Sequence, residues 1–287
     1  MSDFSYAISK GEMKVKTNCR IIAIANQKGG VGKTTTTANL GTGLAREGNK
    51  VLLIDYDPQG DLTASLGWKN YDEMDNTIAM IMDSTIQDKV INYKDIILHH
   101  SEGCDLIPGN IELADFEMRL VNVMSREKVL FNSIEPLKSL YDYILIDCPP
   151  SLGMLTINAL TASNEVLIPV QAHYLAAKGM TKLLGTINKV RKQINPDLKI
   201  NGIVITLAQM NTTLSKSTIS AIKNNYGKYI KVFDSVIPSA IKTGEAPIKG
   251  LSMFSIDKDG KVADAYEKLS KEIIKSNKTR NKDEISR

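Results

Sequence analysis

Between Gln27 and Thr37 the chain reads QKGGVGKTTTT, a stretch whose residue types suit one kind of chemistry. Gly29, Gly30 and Gly32 let backbone N–H groups turn inward and surround phosphate oxygens, helped by the positive end of a following helix. Lys33 can then reach the β- and γ-phosphates of a nucleotide, and Thr34 can offer its hydroxyl to Mg²⁺. The usual phosphate-loop pattern, G-x-x-x-x-G-K-[ST], opens on a glycine where this chain has Gln27, and Lys28 follows at once. A loop shaped for phosphates therefore carries a lysine at each end.

Such a loop works only between a strand and a helix. The run 20-RIIAIANQ-27 is β-branched and apolar and stops in glycines, as a buried parallel strand does. Residues 33–48 read as a helix stopped by Gly48, and 50-KVLLID-55 as a second buried strand, which completes a βαβ unit. Further strands are expected at 141–150, 165–170, 200–208 and 232–238, and helices at 154–162, 179–194, 215–227 and 261–276. This alternation predicts an α/β fold: a single doubly wound, mostly parallel sheet flanked by helices. The stretch from Gly67 to Leu130 is less regular and reads as edge-packing helices. Residues 1–18 read as a flexible arm, 19–276 as one domain and 277–287 as a disordered tail. In both 53-LIDYDPQGDLT-63 and 143-YILIDCPPSLG-153 an aspartate ends a strand, the place where open α/β sheets bind ligands.

Composition bounds the rest. The 287 residues are 43% hydrophobic and 24% charged, ordinary for a soluble globular protein. No apolar run approaches the roughly 18 residues of a membrane span, and the start shows no secretory h-region. Three cysteines without CxxC spacing point to a reducing cytosol and away from a disulfide framework or zinc site. Charge is one-sided: Leu175–Gly250 holds twelve basic against three acidic residues, a net of +9, which leaves −5 for the remainder of a chain of net +4. That asymmetry fits a polyanionic partner, and equally fits lysines spread over solvated helix faces.

The string 28-KGGVGKTT-35 resembles the deviant Walker A motif of the ParA/MinD class of ATPases. DPQG at 57–60, 168-IPVQ-171 and 236-VIPSAIKTGEAPIKG-250 resemble its DNA-segregating ParA/Soj branch, so that the resemblance spans Arg20 to Ile274. It implies that ATP and Mg²⁺ are bound by Lys28, Gly29, Gly30, Val31, Gly32, Lys33, Thr34 and Thr35, with Pro238 against the adenine. It implies that Lys28 crosses a nucleotide-sandwich homodimer to the partner's phosphates, where a cation stabilises charge on the transferred phosphoryl group. Thr34, Asp147 and Asp57 are the implied Mg²⁺ positions. Asp57 is also the family's position for polarising or orienting the attacking water, and Asp55 is a further candidate for the metal's hydration shell.

The branch further implies nonspecific DNA binding, a ParB-like centromere-binding protein that stimulates slow hydrolysis, and a cytoplasmic, nucleoid-associated location without a membrane partner. We expect Lys216, Lys223, Lys242 and Lys249 to belong to the DNA surface. The chain departs from the family at Gln209 and Asn211, which replace an acidic residue and an arginine, and at Ser239 and Ala240, which replace Arg-Asn. Lys242 stands for an arginine, a point charge in place of a fork. Two rivals share the loop. A MinD-like membrane switch would need a C-terminal amphipathic anchor, and an iron-protein-type ATPase would need cluster cysteines, for which Cys104 and Cys148 are the interior candidates.

Overall fold

The computed structural model describes residues 19–172 and 176–285. Its centre is an eight-stranded sheet of order β3-β4-β2-β5-β1-β6-β7-β8. The strands are β1 (Arg20–Ile24), β2 (Val51–Asp55), β3 (Leu98–His99), β4 (Asp105–Ile107), β5 (Tyr143–Asp147), β6 (Glu165–Gln171), β7 (Lys199–Ala208) and β8 (Val232–Pro238). Every neighbouring pair is parallel except β3 and β4.

Both faces of the sheet are covered, which is why its central strands are unbroken apolar runs. Along β1, Ile21 and Ala23 enter one core while Ile22 and Ile24 enter the other. The first core packs against helices that include Met154–Ala162 and Ala176–Gln193. The second packs against the helix Lys33–Arg46, hereafter α1, and the C-terminal helix Lys261–Ile285. β1 lies between β5 and β6, where the winding reverses. The loop after β1 thus opens into the crevice at the C-terminal ends of the strands.

Two expectations are corrected. The stretch from Gly67 to Leu130 is not helical throughout: a hairpin, β3–β4, adds an antiparallel edge. Strands of two and three residues are too short to show a period of two. At the other end, the residues from 277 that read as a disordered tail continue the last helix to Ile285. They contain neither Gly nor Pro, and extending a formed helix adds one hydrogen bond per residue fixed. The arm 1–18 and residues 286–287 lie outside the described residues. Among those described, no helix is long and apolar enough to cross a membrane.

Candidate functional site

The phosphate loop is held from both sides. The Asn26 amide donates to the Pro169 carbonyl of β6 at 2.7 Å, and its oxygen accepts from the Lys28 N–H at 3.0 Å. On the far side, Thr206 of β7 donates its hydroxyl to the Val31 carbonyl at 2.8 Å. Gly30 and Gly32 take φ values of 69° and 80°, left-handed conformations that side chains resist, and Gly32 leads directly into α1. The loop's two lysines sit in different surroundings. Lys33 is buried at 7% exposure and lies close enough to Asp147 and Asp57 to lower the pKa of both. Lys28 is half-buried, and its ammonium has no hydrogen-bond or ion-pair partner among the described residues.

The acids gather opposite the loop. Asp55 and Asp147 are register partners on adjacent strands, and both are fully buried. Burial raises the Asp147 carboxyl to about 7, opposed by a hydrogen bond from Thr34 and by the Lys33 charge. Thr37, one turn into α1, also donates to Asp147, at 3.1 Å. The second oxygen of Asp147, Oδ2, is buried with no hydrogen-bond partner. An orphaned carboxylate oxygen beside Thr34 fits a hydrated Mg²⁺, which takes one or two carboxylates and fills its shell with water and phosphate oxygens. Asp55 is raised well above the ordinary range, first by burial and then by Asp147. Its Oδ2 accepts from both the N–H and the hydroxyl of Thr63, at 2.7 and 2.6 Å. That double contact ties Asp55 to the short helix Asp61–Ser65, hereafter α2. Asp57 is 8% exposed, also raised by burial, and accepts from the Gln59 N–H at 3.1 Å.

These shifts bear on stability. In the folded chain Asp147 holds its proton more tightly than in the unfolded one. Its contribution is therefore greatest below the ordinary carboxylate pKa and is lost as pH rises through about 7. Without Mg²⁺ or nucleotide, Asp147→Asn is expected to be more stable than the parent at pH 8, by on the order of 2 kcal/mol, with the gap closing by pH 4. Urea midpoints at the two pH values check this, and a gap independent of pH would refute it.

Pro238 ends β8 opposite Ala208 of β7. It helps line a cavity of about 650 Å³ with Gln209, Met210, Asn211 and Ser239. The strand end beside it is strained, since Leu207 takes φ 51°. The four lysines expected to meet DNA are all exposed and lie on two separate segments. Lys216 and Lys223 lie on the helix Thr213–Tyr226, seven residues and about 10 Å apart along its axis. Lys223 faces Asp234 at 3.7 Å and Lys242 pairs with Asp257 at 2.8 Å. Both pairs are exposed, and a phosphate can displace such partners.

Cys104 and Cys148 fall in opposite cores and are fully buried, with thiols raised by desolvation. Opposite faces of the sheet separate them, and neither thiol is exposed to hold a surface cluster. Sequence reading overlooked Asn26, Thr37, Thr63 and Thr206, which hold the loop and the two aspartates. It also overlooked Glu117, whose carboxylate accepts from the Leu155 N–H at 3.1 Å and so caps the helix after the Asp147 turn. A small polar residue in a helix or strand carries no mark of its distant partner; only the TTTT run gave a local signal.

A family model described as an AAA domain matches residues 19–200. The sporulation initiation inhibitor protein Soj of Bacillus subtilis is 43% identical over 254 residues, covering 88% of this chain and 98% of Soj. The chromosome partitioning protein ParA of Myxococcus xanthus is 38% identical over 271 residues, 94% of this chain and 93% of that protein. Among solved structures, cobyrinic acid a,c-diamide synthase from Mycobacterium smegmatis with bound ADP and magnesium matches with a TM-score of 0.76. It is 36% identical, and the match covers 88% of this chain and 93% of that one.

Proposed function

Because this chain belongs to the ParA/Soj family of P-loop ATPases, we propose that it partitions DNA by a cycle of Mg-ATP binding, dimerisation and hydrolysis. The observation that carries the reading is the contrast within one loop: Lys33 faces its own subunit's aspartates, while Lys28 has no partner there. Lys33 and the loop N–H groups hold the phosphates of the subunit's own ATP. Thr34 and Asp147 hold the metal, which when bound neutralises charge on the β- and γ-phosphates. Asp57 orients the attacking water. Pro238 packs against the base, with Ala240 giving no amide contact to it. Lys28 completes the partner's site, so that hydrolysis waits on assembly, and a ParB-like centromere-binding partner accelerates it.

In this reading Lys216, Lys223, Lys242 and Lys249 contact DNA phosphates without sequence preference, placing the protein on the nucleoid in the cytoplasm. The dimer doubles the set. Replacing Lys242 and Lys249 by Glu is expected to cut ATP-dependent DNA binding at low salt at least tenfold. The log–log salt dependence should also flatten by roughly one for each DNA phosphate that is no longer neutralised. Co-sedimentation with DNA and with anionic liposomes, each with ATP, is the test. DNA binding unchanged in the double variant removes these lysines from the surface. Pelleting with liposomes and not with DNA replaces the reading by a membrane switch.

A further inference from the structure

The helix α2 follows the Asp57 loop directly, and its far end is joined to the segment that carries Lys242 and Lys249. Gly67 and Gly250 meet backbone to backbone: a Cβ built on Gly250 would lie 2.5 Å from the Gly67 Cα and 3.0 Å from its nitrogen. Both adopt positive φ, 104° and 67°, which side chains resist, and at Gly250 a side chain would in addition have to move one segment off the other. Beside this contact the Lys69 ammonium donates to the Ala64 carbonyl at 3.1 Å and to the Pro247 carbonyl at 2.6 Å. One exposed side chain thus ties the last turn of α2 to the turn Ala246–Lys249.

The base of that segment is anchored elsewhere. Glu102 of the β3–β4 hairpin accepts from both the N–H and the hydroxyl of Ser252, at 2.7 Å each. The Met253 N–H donates to Asn39 of α1 at 2.8 Å, and Asn39 in turn donates to the Thr35 carbonyl. Residues 252–253 are therefore a foot fixed to the scaffold, and 241–249 an arm above it. The arm is open to solvent at Ile241 and Ile248, 93% and 76% exposed, and is seated on the second core through the buried Ala246. Between arm, α1 and α2 lies a cavity of about 290 Å³ bordered by Thr34, Asp61, Ser65, Lys69 and Thr243. Close-packed elements resist relative movement, whereas this space lets the arm shift without a clash.

At its near end α2 is coupled just as directly to the phosphate site, because Thr63 is held by Asp55 through two hydrogen bonds. Helix and carboxylate must move together. We propose that the turn Gly67–Lys69 is a mechanical link that passes rearrangement of the Asp55–Asp57 loop to the arm and so sets the orientation of Lys242 and Lys249. The link stands on these contacts alone; its consequence for DNA rests on the function proposed above.

The test is hydrogen–deuterium exchange on the full chain, parent and Lys69→Met, with and without Mg²⁺ and a non-hydrolysable ATP analogue. Lys69 is exposed, so the variant keeps its core. In the parent the analogue should change exchange of the amides in 241–250 by about threefold or more. In Lys69→Met that response should vanish, while analogue affinity and assembly by sedimentation stay at parent levels. The ratio of DNA affinities with and without analogue should also fall by about fivefold or more. The effect of DNA on analogue affinity should fall by the same factor, because coupling is reciprocal. Taking a ratio removes the effect of one missing positive charge. No response in the parent, the same response in the variant, or loss of response together with loss of assembly each overturns the link. A response present in the parent and absent from the variant, with no DNA binding by either, upholds the link and overturns the DNA reading instead.

Discussion

Lys28→Ala is expected to bind Mg-ATP as the parent does and to lose hydrolysis by on the order of 10³-fold, the scale of a cation supplied to phosphoryl transfer from a second subunit. The backbone of Lys28 is fixed by Asn26, which is itself tied to β6, so the loop keeps its shape when the side chain is cut back. Nucleotide binding then rests on Lys33 and the glycine N–H groups, which the substitution leaves in place. Fluorescent-nucleotide titration and steady-state turnover separate the two effects. Complementation adds a direct test of action in trans. Lys33→Ala, which gives up its own nucleotide but keeps Lys28, should restore turnover when mixed with Lys28→Ala. Parent-level turnover by Lys28→Ala alone would end the two-subunit account.

The second large effect falls on Asp57→Ala. Removing a group that orients the attacking water typically costs about 10²–10⁴-fold, so ATP-bound assemblies of this variant should accumulate and remain on DNA. The variant keeps Asp147 and Lys33, and hence the means to bind. Burial raises the Asp57 carboxyl, tempered by the Gln59 N–H and Lys33. The ionised form is the one that acts, so parent turnover should fall on the acid side at a higher pH than an exposed aspartate would give. Gel filtration with ATP and a pH–rate profile check both points. Hydrolysis at the parent rate would remove Asp57 from the mechanism.

The sheet and the loop were legible because their signals are local. Buried parallel strands must be apolar on both faces, and β1, β2 and β5 are five-residue runs that say so. The helix Met154–Ala162 and the strand Val232–Pro238 have the bounds that their periodicity and flanking residues predict. The β3–β4 edge was not legible, since its strands are held by pairing with β2 and by distant side chains rather than by their own pattern. The basic surface was legible as an excess of charge but not as a geometry. Whether two lysines share a face depends on how the helix Thr213–Tyr226 and the arm 241–249 dock.

By itself the sequence determined the turn of the glycine loop, the placing of a lysine at each of its ends, and the placing of aspartates at strand ends. Glycine torsions, strand length and residue order are properties of neighbours in the chain. Only the tertiary structure decided that Lys33 lies beside Asp57 and Asp147, that Asp147 keeps one oxygen unpartnered, and that α2 is tied to the basic arm. Those facts depend on burial and on contacts between residues such as Lys69 and Pro247, 178 positions apart. A carboxylate's protonation and an ammonium's partner are set by what surrounds them in space, and no local pattern records that.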